Sequence, residues 1–481
     1  MSYRRRRTGW IWLVVAATVG GAGACDTREP PVEPVATPYK HTMSYAEARA
    51  VLDAHRDRLP AELAGKTPAE LESSWPRWAD AHDAKTRARL ARGDEDSIVN
   101  FWMFGTSFTS RPRATAVDLA PRGGRAVAAE VLLGRLDDLI AAVSSPVSNE
   151  RLSFVRDALQ QRGLDFTTAA GRERARAYLI DAHERILAEN EGYRRSAESA
   201  GQIPDESARL ARFASVYSDR GLSSDTSLPI DFALDETLSA GKSQRHLAAP
   251  VRRVAVIGPG LDFTDKADGH DFYPVQTIQP FALVDTLVRL GLATVEDLRV
   301  TAFDLSPRVT RHIQEAGVRA ERGTAYTLQL PIVTNDPAHH WEPGFMSYWK
   351  RCGGAIGDAA AGLAPPGGAA GVDVRAVTVR PTVVLTITAR DLNVVVERPS
   401  RLEDADRFDL IVATNVLVYY DPFQQALALA NIASMLRPGG FFVTNYAMSP
   451  SAPMSSAAVF STTTYWDRER HFDSLFWYQR K

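Results

Sequence analysis

Cysteine is almost absent. Cys25 and Cys352 are the only two in 481 residues, which excludes a disulfide framework and a cysteine-rich zinc site. An excess of one charge is missing as well. The formal net charge is -2, whereas a nucleic-acid surface wants a strong basic excess or a basic stripe. The apolar run Trp10 to Ala24, about fifteen residues, falls short of the ~20 needed to cross a bilayer. Repeats at solenoid spacing are not found. A Gly-x-Ser-x-Gly elbow, a His-Glu-x-x-His pair and a phosphate-binding Gly-Lys-Ser/Thr loop are also missing, so hydrolase, zincin and NTPase chemistry have no support. What remains is ordinary globular composition, 45% hydrophobic and 24% charged, in a chain long enough for roughly two to three domains.

The N-terminus has its own pattern. Arg4 to Arg7 form a positive cluster ahead of that apolar run, and Ala22-Gly23-Ala24-Cys25 closes it. This order predicts an export signal. Residues 1–25 resemble a bacterial lipoprotein signal, in which Cys25 is lipidated and becomes the membrane anchor, although Ala22 replaces the usual Leu. Paired arginines also permit twin-arginine export, and an uncleaved anchor is the plainer alternative. Residues 26–43, with Pro30, Pro31, Pro34 and Pro38, read as an extended tether. Asp26 resembles the signal that keeps some lipoproteins on the inner membrane. Met43-Ser44-Tyr45 repeats Met1-Ser2-Tyr3, so a start at Met43 would instead give a cytoplasmic protein.

Residues 44–241 read as a helical domain. Leu132, Leu136, Leu139, Ile140 and Val143 recur at helical spacing, as do Leu179, Ala182 and Ile186. The aromatic run Trp102 to Phe108 either lines a pocket or packs in a core. The segment Ser239 to Pro250, polar and closed by a proline, marks the boundary with the next domain.

From Val251 the pattern changes. Val254-Ala255-Val256-Ile257 is short and apolar, as a strand buried on both faces requires, and Gly258-Pro259-Gly260 turns sharply after it. Asp262 comes just after that turn. Val275 to Leu290 reads as a helix and Leu298 to Asp304 as a second strand; Ser306-Pro307 opens the next helix. Strands and helices keep alternating, which predicts an α/β fold with a Rossmann-like doubly wound sheet. Asp304, ending the second strand, stands where such a sheet places its ribose contact. Phe263 holds the place where a dinucleotide fingerprint needs its third glycine, and Asp304 lies far beyond the usual ~20 residues. A nicotinamide or flavin site is therefore not expected. A ligand with ribose and adenine but no phosphate suits this turn.

The stretch Phe408 to Pro422 is a strand, a polar turn and a helix start capped by Asp421, and Leu436-Arg437-Pro438-Gly439-Gly440 precedes the next strand. In order and wording, 251–481 resembles class I S-adenosylmethionine-dependent methyltransferases, and among them the chemotaxis-receptor glutamate methyltransferases. The resemblance implies S-adenosylmethionine as cofactor. It assigns Gly258, Gly260 and Asp262 to the first glycine motif and Asp304 to the ribose. Asp391 and Leu392 would flank the adenine, and Thr414 and Asn415 would sit beside the methyl group. Ala457 to Tyr465 and Phe472 to Gln479 would form the antiparallel hairpin that closes such sheets. Thr414 stands where the chemotaxis group has Arg, which weakens recognition of a carboxylate acceptor by charge, so the acceptor stays open between a protein carboxylate and a small molecule.

An insertion of about 324–380 has no counterpart. Its edges, Thr324 to Leu330 and Val374 to Arg380, alternate like paired strands. Within it, His339, His340 and Glu342 invite a metal reading, but sequence neighbours point apart and no further ligand stands at helical spacing, so no metal is expected. The insertion is either a lid that chooses the acceptor or a surface elaboration, with Gly362 to Gly371 as its loop. Candidates for catalysis are Asn415, Tyr419, Tyr420 and His270. Methyl transfer needs positioning and exclusion of water more than a conspicuous nucleophile. The competing function is an exported, lipid-anchored binding or scaffold protein on a non-catalytic methyltransferase fold.

Overall fold

The central sheet is built from strands whose side chains alternate between two buried faces. In Arg253–Ile257, Val254 and Val256 enter one core while Ala255 and Ile257 enter the other. The structure is a computed structural model that describes residues 39–481, except 115–129, 146–148, 204–219, 227, 264–269, 335–339, 367–370, 401 and 449–452. The expectations for 1–25 with Cys25, for most of the tether, for His339 and for part of the Gly362 to Gly371 loop lie outside the described residues.

The strands in chain order are β1 (Lys40–Thr42), β2 (Arg253–Ile257), β3 (Arg299–Asp304), β4 (Tyr326–Val333), β5 (Gly357–Ala361), β6 (Val372–Val379), β7 (Ile387–Asp391), β8 (Glu397–Pro399), β9 (Phe408–Ala413), β10 (Leu436–Thr444), β11 (Phe460–Tyr465) and β12 (Phe472–Gln479). The helices are α1 (Tyr45–Ala54), α2 (Pro68–Phe104), α3 (Glu130–Ser144), α4 (Glu150–Gln160), α5 (Ala169–Gly201), α6 (Leu228–Ser243), α7 (Gln279–Arg289), α8 (Pro307–Glu321), α9 (Pro343–Arg351), α10 (Pro381–Val384) and α11 (Pro422–Met435).

Seven strands form the main sheet in the order β11-β12-β10-β9-β2-β3-β7. The five from β10 to β7 run parallel, and β12 lies antiparallel between β10 and β11. This is the Rossmann-like doubly wound sheet with an antiparallel C-terminal hairpin. The chain runs outward from β2 through β3 to β7, then returns to the other side of β2 with β9. The strand order thus reverses between β2 and β9, and ligands of such sheets bind beyond the carboxyl ends of the strands at that point.

Helices α6, α7 and α8 cover one face, and α1, the first half of α2 and α11 cover the other. The boundary expected between 44–241 and 251–481 therefore does not divide the packing. Tyr39–Lys481 forms one compact unit. Only the middle of the helical part has a core of its own, where Trp102 is fully buried with Leu132, Leu136, Leu139, Val143 and Leu179. Helix α2 joins two of the three cores. Its 37 residues, ~55 Å at 1.5 Å per residue, place Trp75 and Trp78 against the sheet and Phe101 and Trp102 in the helical core. Thr67 starts it in a capping box with Glu70, with Pro68 in the first turn.

Local punctuation is where the sequence predicts it, with shifts that have causes. Asp421 caps α11 in a box with Gln424. The helix expected from Val275 begins only at Gln279, because Gln276 is held elsewhere: its Nε2 donates to Asp262 Oδ2 at 2.9 Å and to the Gln329 carbonyl at 2.7 Å. In the insertion, β4 and β6 pair antiparallel from Tyr326 with Val379 to Val333 with Val372, and β5 adds to β6. Helix α9 buries Phe345, Tyr348 and Trp349 in the core it shares with Phe232 of α6. Strand β1 pairs with β8, the Met43 amide donates to the Val396 carbonyl, and the Trp75 indole donates to the Met43 carbonyl.

Asp235 ties three elements together. It is 1% exposed and accepts from Thr286 of α7 at 2.7 Å, from Arg289 of α7 and from Arg351 of α9 at 2.5 Å. Breaking a buried ion pair on one side costs more than the pair contributes, because the other charges stay behind. Asp235→Ala is expected to lower stability by roughly 2–3 kcal/mol, below the full penalty because both arginines reach solvent. The urea midpoint measures this, and an unchanged midpoint would show that the arginines find water instead.

Candidate active site

Beyond the carboxyl ends of β2, β3 and β9 lies a pocket with about 760 Å³ of space not filled by protein, open solvent at its mouth included. Gly258 and Gly260 from the turn after β2, Asp304 from the end of β3, Leu392 after β7, and Thr414, Asn415, Tyr419 and Tyr420 after β9 all line it. Eight sequence candidates from four segments far apart in the chain are thereby brought together.

Asp304 enters the pocket from the end of β3. Its Oδ1 accepts the Ser306 amide at 2.7 Å, and the Gly260 amide also donates to it. Burial nevertheless pushes its carboxyl up to about 6. On the other side, Thr414 Oγ1 accepts from Gln279 Nε2 at 2.9 Å. Asn415 is exposed and left-handed, with φ of 57°, a conformation that Asn tolerates better than most residues. Tyr420 is buried, and its phenol is pushed up to about 12. It can donate a hydrogen bond and cannot act as a base near neutral pH.

Three candidates lie elsewhere. Asp262 turns away from the pocket into its bond with Gln276. Asp391 is held by Arg87 of α2 at 2.8 and 3.1 Å and by Lys40 at 2.8 Å, so it clamps the N-terminal segment to the end of β7. His270 is buried beside Phe272, in a loop clamped by the helical part. There, Arg151 donates to the carbonyls of Asp262, Phe263 and Tyr273, and Asp271 accepts from the amides and hydroxyls of Thr106 and Ser107. This clamp explains the run Trp102 to Phe108: its aromatic start packs in the core and its polar end holds the loop.

The cover of the pocket comes from an unexpected place. No residue of the insertion 324–380 lines it; Leu90 of α2 and the strap 222–226 do. The strap runs beside the glycine turn as a short strand would: the Leu261 amide donates to the Ser224 carbonyl at 2.7 Å, and the Thr226 amide to the Leu261 carbonyl at 3.1 Å. Arg308 of α8 fastens it. Its guanidinium donates to Ser224 Oγ at 2.8 Å, faces Asp94 of α2 at 3.4 Å and lies 3.9 Å above the Phe154 ring. Ser97 of α2 donates to Asp225 at 3.0 Å. Among the described residues, no group of three or more His, Cys, Asp or Glu is placed to hold a metal ion. No helix among them is long and apolar enough to cross a membrane.

No family model matches the chain, and no curated protein matches it. Solved structures do. The N-methyltransferase NodS from Bradyrhizobium japonicum WM9 is similar over 51% of this chain and 97% of its own, with 15% identity and a TM-score of 0.25. The magnesium protoporphyrin IX methyltransferase ChlM from Synechocystis PCC 6803, solved with bound SAM, is similar over 60% of this chain and 90% of its own, with 10% identity and a TM-score of 0.25. TrmN from Thermus thermophilus is similar over 52% of this chain and 48% of its own, with 10% identity and a TM-score of 0.26. The fold assignment itself stands on the strand order.

Gly93 gives the strap a test. A helix interior normally gains up to ~1 kcal/mol from Gly→Ala. A Cβ on Gly93 would lie 1.8 Å from the Leu222 carbonyl oxygen, which no rotamer relieves. Gly93→Ala is expected to release the strap and speed hydrogen exchange at the Leu222 and Thr226 amides at least tenfold. Unchanged exchange there would mean that the strap is not held by α2.

Proposed function

We propose that this protein is an S-adenosylmethionine-dependent methyltransferase. One observation carries the reading: Gly258, Gly260, Asp304, Thr414 and Asn415 line a single pocket at the point where the strand order reverses. The residues present suit the cofactor. Asp304 offers a carboxylate to ribose hydroxyls, while Leu392 and Val394 offer an apolar wall to a flat base. The Gly258–Gly260 turn offers no helix N-terminus for a pyrophosphate. When bound, the cofactor supplies an electrophilic methyl group. The chain's part is to orient an acceptor against it and to exclude water, to which the strap beside the glycine turn would contribute as part of the pocket wall.

The closer likeness to the chemotaxis-receptor enzymes rests on the wording of Asn415 to Asp421 alone, and Asp391, paired with Arg87, does not stand free to hold the adenine amine. Localisation is a separate proposal. The Arg cluster, the apolar run and Cys25 support a lipid-anchored protein, while the cofactor is a cytoplasmic metabolite. A start at Met43 does not resolve this without loss, since it would remove β1 and the bonds of Lys40 to Asp391 and Glu397. If Cys25 carries the anchor, Cys25→Ser is expected to move the protein from the membrane to the soluble fraction. A wild-type protein found soluble with Met1 intact would reject the anchor.

For the cofactor, calorimetry of S-adenosylhomocysteine binding is the direct measurement. Asp304→Ala is expected to weaken binding by ~1.5–3 kcal/mol, the scale of a hydrogen bond to a charged group. The pH dependence has a definite sign. The folded-state carboxyl is raised from 3.8 to about 6, so it is protonated below that value and loses its acceptor character there. Affinity should therefore be flat above pH about 6 and fall by up to about tenfold per unit below it. Asp304→Asn should abolish the slope, and a slope that survives in that variant assigns the proton to another group.

A further inference from the structure

We propose that Asn415 in the wall of this pocket, backed by Asn445 and Asp473, forms its acceptor subsite, and that it selects a methyl acceptor presenting an amine. The inference rests on the cofactor reading above and adds the substrate class. Strand order places the three together. Asn415 follows β9 and Asn445 follows β10, both at the carboxyl edge. Strand β12 runs antiparallel, so Asp473 near its start lies at that same edge. Asp304 is on the other side of the reversal point. A cofactor whose ribose meets Asp304 therefore has its reactive end toward Asn415.

The hydrogen bonds make the trio one unit. Asn445 Oδ1 accepts the Asn415 amide at 2.8 Å, and Asn445 Nδ2 donates to Asn415 Oδ1 at 2.7 Å and to Asp473 Oδ1 at 3.4 Å. The side chain of Asn445 is thus spent on holding its neighbours. Of the three, Asn415 lines the pocket itself, and Asn445 and Asp473 stand behind it, joined to it by these bonds. Asp473 is the only carboxylate in the unit, and among the described residues no Lys or Arg pairs with it. Its neighbour on the same hairpin, Asp467, is by contrast taken by His471 at 2.7 Å. Burial pushes the Asp473 carboxyl up to about 6, so it is ionised at neutral pH with no Lys or Arg counter-charge among the described residues.

A half-buried anion at the acceptor end repels a carboxylate and attracts a cation. This argues against a protein carboxylate as acceptor and for an amine. In the transfer, the nitrogen lone pair forms the N–C bond as the C–S bond breaks, and that bonding pair stays on sulfur. An amine that arrives as an ammonium first gives one proton to solvent, which frees that lone pair. The nitrogen becomes positive again as the N–C bond forms, the Asp473 carboxylate stabilises that charge, and the second proton leaves to solvent with the product.

The experiment uses the full chain saturated with S-adenosylhomocysteine and two probes of matched shape, benzylamine and benzoate, titrated by calorimetry and by ligand-observed NMR. Saturation by S-adenosylhomocysteine is read first, and its failure overturns the cofactor reading. Given saturation, benzylamine is expected to bind at least tenfold tighter than benzoate. Asp473→Asn should remove that preference and leave S-adenosylhomocysteine affinity unchanged, while Asp473→Glu should keep the preference. Equal affinity for the two probes, or a preference that survives in a folded Asp473→Asn, overturns the acceptor assignment. In turnover with S-adenosylmethionine, primary amines should be methylated and the matched acids not; methylation of the acids overturns it as well.

Discussion

The close approach of two backbones at Gly260 is the constraint on which the site depends. The turn after β2 must be left-handed there, with φ of 65°, and a Cβ would lie 2.6 Å from the Ser224 carbonyl oxygen. Only glycine satisfies both requirements. The strap that supplies this carbonyl is pressed on its other side against Gly93 of α2. The glycine turn is thus shared between the pocket on one side and the protein's own chain on another, and the helical part is a structural component of the pocket.

That constraint explains why the first half of the chain cannot be set apart from the second. Strand β1 pairs beside β8, Lys40 and Arg87 neutralise Asp391 at the end of β7, and α2 carries Leu90 to the pocket wall. The four-membered group of Lys40, Arg87, Asp391 and Glu397 is only partly exposed. Several charges pinned by geometry give more than isolated surface pairs do. A carboxylate that stood free in the sequence pattern is in this way converted from a ligand contact into a fastener.

Whatever depends on local spacing was legible in the sequence. The buried run Val254 to Ile257, the Asp421-Pro422 helix start, the strands of the β11–β12 hairpin and the strand character of the insertion edges all arise from periodicity and caps that lie within a few residues of each other. Asp304, Thr414 and Asn415 were legible for a related reason, since residues at strand ends inherit their position from the sheet. The failures share a cause as well. Whether Asp262 faces a ligand or Gln276, whether Asp391 is free or held by Arg87, and whether the cover is the insertion or residues 222–226 are all decided by partners tens to hundreds of residues away. Gly93, an isolated glycine inside a helical pattern, was the one local hint of the strap. Asp473 gave none, because a carboxylate in an alternating polar strand looks like a solvated face until the fold brings Asn445 beside it.

Asp304 in the pocket wall and Asp473, joined to that wall through Asn445 and Asn415, then acquire a common meaning. Asp304 and Asp473 are both carboxyls raised to about 6 chiefly by burial, and neither is a member of a close ion pair among the described residues. A site that keeps two ionised carboxylates under partial burial bears a desolvation cost that a neutral ligand would not relieve. A ligand carrying positive charge would. S-adenosylmethionine is positive at sulfur, and an amine acceptor becomes positive at nitrogen as the transfer proceeds, whereas the demethylated product has lost the charge at sulfur. On the proposed reading, the arrangement would favour the charged cofactor over its product and the developing ammonium over the free amine. The same two carboxylates that cost stability in the empty pocket would assist both binding and release.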